Sequence, residues 1–144
     1  MGVAGNALGH WYANVMTINN SILVHAISER SLLSVVLPGA PFKTLAARFP
    51  RALAEVLDAL AVPRKEIARE LTAMSPLAIA ATANRQVLGC LNQYMFELEV
   101  DFEYNPQRSL LERELWLSQN ISSTVRYAEP REVAIDLLAR SSKQ

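Results

Sequence analysis

The sequence has a single cysteine, Cys90, in 144 residues. One thiol excludes an internal disulfide and a paired-thiolate zinc site, and it suits a reducing compartment. An excess of one charge is missing as well: Lys+Arg and Asp+Glu number 14 each, for a formal net charge of zero. The usual footprint of nucleic-acid binding is therefore absent, and Arg48, Arg51, Arg64 and Lys65 offer only a local basic patch. No run of about 18 apolar residues offers a transmembrane helix. The opening MGVAGNALGHW lacks the basic and apolar regions of a secretion signal, and Asn6 stands where myristoylation wants Ser or Thr. A cytoplasmic chain that avoids membranes and nucleic acid is expected. Gly-rich phosphate loops, HExxH, GxSxG and paired-Cys motifs are missing too, so catalytic residues stay unassigned and no metal or cofactor is expected.

What the chain does have is apolar content: 51% of residues, against 19% charged. Its length suits one domain with a core of its own. The mean hydropathy of +0.11 is high for a soluble monomer. A homo-oligomer, most simply a dimer, is expected to bury the surplus between subunits.

Residues 1–9 are small and read as a loose N-terminal tail, with a single domain over 10–144. HWYANVMTI (10–18) and SILVHAIS (21–28) are strand-like and flank Asn19-Asn20, a two-residue turn. SLLSVVL (31–37) is a third strand, ending at Pro38-Gly39. The period then becomes helical. Phe42, Leu45, Ala46 and Phe49 precede Pro50, which is expected to open a new helix carrying Leu53, Val56, Leu57 and Leu60. Pro63 opens another, with Ile67, Leu71 and Met74 on one face. PLAIAATA (76–83) reads as a short strand, with a buried helical segment as its rival. Ser109 and Glu112 form a capping-box pattern, and Pro130 opens a last helix with Asp136 and Arg140 spaced to pair. NISSTVRY (120–127) between them is turn or short strand. The predicted fold is α+β: an antiparallel meander of about three strands, five to six helices and one further short strand.

Two polar clusters break this apolar plan. In the helix after residue 84, Val87, Leu91, Met95, Leu98 and Phe102 make the core stripe, while Arg85, Gly89, Asn92 and Phe96 share a second face. Asn84 suits the N-cap. Arg85 is the wrong sign for a first turn, and Gly89 costs about 1 kcal/mol in a helix interior. Close approach of another backbone is the plain explanation for that glycine, and room for a ligand the sharper one. The acids Glu97, Glu99, Asp101 and Glu103 are read as a solvated face. In the hairpin, a turn at Asn19-Asn20 pairs Asn14 with His25 and His10 with Glu29. His10, Tyr12, Asn14, His25 and Glu29 then share a polar, half-exposed sheet face, opposite a core face of Trp11, Ala13, Val15, Ile22, Val24 and Ala26. Acid–base chemistry or a metal could use the two histidines and Glu29, but their spacing forms no known motif.

WYANVMTI (11–18), SERSLLSVVLPGAPFKTL (28–45), RFPRALAEVLDALAVP (48–63) and TANRQVLGCLNQ (82–93) resemble a family of small uncharacterised bacterial proteins, a domain of unknown function. Its marks are W-[YH]-A-N and N-R-x-V-L-G-x-[ML]-N. The resemblance covers most of the chain, extends to YAEPREV (127–133), and implies no activity. It singles out Trp11, Asn14, Asn84, Arg85, Gly89 and Asn92. Members of the family usually carry an extra N-terminal segment, in whose place a short small-residue tail stands here; if that segment adds a strand, its absence would leave a sheet edge open or paired with another subunit. Gln93 stands where an acid often closes the motif.

Two functions are therefore expected in competition. The first is a non-enzymatic module that self-associates or binds a protein partner. The second is a ligand-binding protein or enzyme with a polar pocket between the hairpin and the 84–104 helix, lined by Asn14, His25, Arg85, Gly89 and Asn92.

Overall fold

Asn19 and Asn20 both adopt left-handed backbone, with φ of 51° and 65°. That pair of values is what a two-residue hairpin turn requires, and asparagine tolerates it. The turn joins β1 (Trp11–Ile18) to β2 (Ser21–Ser28) in the expected register, with Ile18 opposite Ser21 and Asn14 opposite His25. The computed structural model describes residues 5–74, 79–80, 85–119 and 128–141. β3 (Ser34–Pro38) runs antiparallel to β2, completing the N-terminal meander. A two-residue strand, β4 (Ile79–Ala80), runs parallel to the start of β1, so the sheet order is β3-β2-β1-β4. Only these two residues of the expected 76–83 strand are described.

Among the described residues, five α-helices pack around the sheet: α1 (Leu45–Ala59), α2 (Arg64–Ala73), α3 (Arg85–Tyr104), α4 (Leu110–Leu117) and α5 (Pro130–Ser141). The fold is α+β, as the periodicity predicts. One core packs Trp11, Val24, Ala26, Val35 and Leu37 against Phe49, Leu53, Val56 and Leu57 of α1, with α2 and α5 behind. A second core packs Met16, Leu23, Ile27 and Val36 against Val87, Leu91, Tyr94 and Leu98 of α3. The sheet face of Tyr12, Asn14 and His25 is thus covered at His25, which is fully buried, while Tyr12 and Asn14 stay half-buried as expected. Met16, Leu23, Ile27 and Val36 lie on that face too, and their burial outweighs its few polar groups.

Pro50 lies inside α1 and does not start a separate helix. An interior proline costs about 3 kcal/mol. Phe49, Leu53, Val56 and Leu57 are all buried along the continuous helix, and each such side chain is worth about 1.5–3 kcal/mol. The apolar stripe therefore wins. Arg48, two residues before Pro50, ties α1 to the end of β3 by donating to the Pro38, Gly39 and Pro41 carbonyls.

Three buried acidic side chains fasten the layers. Glu70 of α2 accepts from the backbone N–H groups of Ala7 and Leu8 and from Asn6 Nδ2, at 2.8–3.1 Å. Leu8 is fully buried, so residues 6–8 of the expected loose tail belong to the packed domain. Asp101 of α3 pairs with Arg113 of α4, and both are buried. It is no part of a solvated face, because Arg113, Arg108 and Asn105 all donate to it. Arg113 also donates to the Asn105 and Arg108 carbonyls and stacks 3.7 Å from the Phe102 ring centroid. The third, Glu114, belongs to the candidate site. The capping box at Ser109 and Glu112 and the Asp136–Arg140 pair form as expected. Asn84 and residues 120–127 lie outside the described residues.

Removing one partner of a buried ion pair strands the other charge. Asp101→Ala is expected to destabilise the protein by about 3–5 kcal/mol in urea titrations. Asp101→Ala/Arg113→Met, which removes both charges, is expected to recover most of that loss.

Candidate functional site

β1 and β2 make Asn14 and His25 cross-strand neighbours. His25 has no exposed surface. Its Nε2 lies 2.9 Å from Ser34 Oγ on β3, and its ring centroid lies 5.9 Å from that of Tyr94 on α3. Burial lowers its pKa from 6.5 to about 3, so the imidazole stays neutral through the physiological range. Burial likewise pushes the Tyr94 phenol well above its ordinary value. His25 Nδ1 and the Tyr94 hydroxyl have no hydrogen-bond partner among the described residues. Tyr94 and Ser34 were not singled out from the sequence; Tyr94 sits at the edge of the apolar stripe, which is the one signal it carries.

Arg85, Gly89 and Asn92 stand elsewhere. All three lie on the exposed outer face of α3. Tyr94 is two residues past Asn92, about 160° around the helix. The helix itself therefore separates this trio from His25, and Asn14 stays with the sheet. Apart from the adjoining backbone of α3 itself, no atom of the described residues lies within 4 Å of a Cβ built on Gly89, so no close approach among them accounts for the glycine. The same face carries exposed Phe96 (65%), and Leu88, Val100 and Tyr104 extend the apolar surface along α3.

A cleft of about 310 Å³ opens at the outer edge of β3, between α1 and α4. Its walls include Val36, Pro38, Ala52, Leu110 and Leu111, with Arg51 and Glu55 among its charged groups. Inside it, Glu114 is nearly fully buried and accepts a hydrogen bond from the Val36 backbone N–H at 2.7 Å. Burial, with a smaller push from Glu55, raises its pKa from 4.5 to about 8; the Val36 hydrogen bond opposes this. The bond covers an outward N–H of an edge strand, a group that otherwise invites pairing with another chain. Next along that edge, Pro38 has no N–H and its carbonyl accepts from Arg48. The β3 edge is therefore blocked at Val36 and Pro38 by side chains of α4 and α1.

Among the described residues, no three His, Cys, Asp or Glu side chains converge to hold a metal ion. No described helix is long and apolar enough to cross a membrane. A family model described as a domain of unknown function, DUF6933, matches residues 2–133, and the chain belongs to that family. The match runs from the N-terminal segment to the first turn of α5. No curated protein matches the chain.

Two of the buried titratable groups, His25 and Glu114, set opposing pH limits. His25 is neutral when folded and titrates at 6.5 when unfolded, so its contribution falls as pH drops from 6.5 to about 3. Glu114 stays protonated when folded but ionises near 4.5 when unfolded, so its contribution falls as pH rises from 4.5 to about 8. Between 4.5 and 6.5 the two slopes cancel. Thermal melts are expected to show a plateau in that window and a decline on either side. Glu114→Gln, which keeps the acceptor for Val36, is expected to remove the alkaline decline; an unchanged decline would assign it to other groups.

Proposed function

We propose that this member of the DUF6933 family is a non-enzymatic interaction module that self-associates through the outer face of α3. The observation that carries the reading is an apolar surface without a partner within the described chain. Phe96 is 65% exposed in a 20-residue helix, on the same face as Gly89, a glycine whose missing side chain leaves open space. Exposed apolar residues scattered singly are ordinary; several on one helix mark a contact surface. Arg85, Gly89 and Asn92, the residues that the family resemblance singles out on this helix, share that surface. The high mean hydropathy points the same way.

The rest of the chemistry favours contact over catalysis. His25 is occupied by Ser34 and Glu114 by Val36, so the two groups with the largest pKa departures in the ordinary range both brace the sheet.

Sedimentation analysis from micromolar to near-millimolar concentration tests this reading. The parent protein is expected to shift from monomer towards dimer. Phe96→Asp is expected to keep it monomeric while changing stability by no more than about 0.5 kcal/mol, as an exposed substitution should. A parent that stays monomeric throughout would overturn the proposal.

A further inference from the structure

We infer that the outer face of α3 pairs with the same face of a second copy of this chain, antiparallel, about a two-fold axis between Asn92 and Gln93. This rests on the self-association reading above and gives it a register. Gly89 and Phe96 are seven residues apart, nearly two full turns, so they stand on one line of the helix about 10 Å apart. An axis midway between them sets each Phe96 over the Gly89 of the other copy. There a large exposed ring meets the one position of the face without a side chain. A parallel pair would set Phe96 against Phe96 and leave the glycine notch empty.

Charge selects the same orientation. Arg85 is exposed at the start of α3, and Glu99 and Glu103 are exposed in its last two turns. In the antiparallel register Arg85 falls opposite Val100 of the second copy, beside Glu99 and within a turn of Glu103. The pairing repeats at the other end by symmetry, as an isologous contact must. A parallel arrangement would bring arginine to arginine and acid to acid. Antiparallel helix dipoles add a small favourable contribution. A helix of 20 residues is about 30 Å long, so one face buries less than a standard interface. A weak dimer, with Kd in the micromolar range or above, is therefore expected.

Charge reversal tests the register in sedimentation equilibrium, with circular dichroism confirming the fold of each variant. Arg85→Glu alone, and Glu99→Arg/Glu103→Arg together, are each expected to weaken the dimer by about tenfold or more. The triple variant, Arg85→Glu/Glu99→Arg/Glu103→Arg, is expected to recover the parent affinity. Gly89→Leu is expected to raise the thermal midpoint of the monomer, since the helix gains a better former, yet weaken the dimer by filling the notch. Opposite signs from one substitution distinguish an interface glycine from a merely tolerated one. A dimer indifferent to all these changes would overturn the register and leave self-association standing. A parent that never dimerises would overturn both.

Discussion

The buried pair of Asp101 and Arg113 determines where two of the helices can sit. α4 is only eight residues long, too short to hold its place by propensity. Arg113 anchors it to the last turn of α3 through Asp101 and through the carbonyls of the connecting loop. The next residue, Glu114, points about 100° away around the helix and reaches β3. One short helix thus carries two adjacent polar side chains, the Arg113 cation and the protonated Glu114, both buried and aimed at different layers. With α4 in place, the edge of β3 is closed. With the end of α3 held, its Tyr94 side stays on the sheet and its Phe96 side stays outward.

Much of the sheet was legible. Asn19-Asn20 flanked by alternating apolar residues specifies both the turn and the register, because a one-residue slip would turn every side chain over. The burial of the second face was harder to see. Asn14 and His25 look like groups that need water, yet each shares its face with residues that need the opposite. Local polarity does not reveal that a helix 60 residues later will cover it.

The carboxylates had a signal that periodicity alone could have found. Glu70 lies three residues past Ile67 and four before Met74; Asp101 follows Leu98; Glu114 lies between Leu110 and Leu117. Each acid interrupts an apolar stripe at core spacing, the mark of a charge with a dedicated partner. What the spacing could not show was the partner: Ala7 and Leu8 for Glu70, Arg113 for Asp101, Val36 for Glu114. Two of the three partners are more than sixty residues away. The α3 face was read in part, since Arg85, Gly89, Asn92 and Phe96 do share a side, but exposure and open space around Gly89 needed coordinates.

The clasp between Glu70 and residues 6–8 closes a loop that holds the whole meander and α1. On a ribosome the N-terminal segment emerges long before its acceptor does. Until α2 clears the exit tunnel, the amides of Ala7 and Leu8 lack their Glu70 acceptor. The hairpin can zip early, since its contacts are local. Locking residues 6–8 must wait for a carboxylate made some sixty residues later, so until then that segment is held by its local bonds to Ser28 and Arg30.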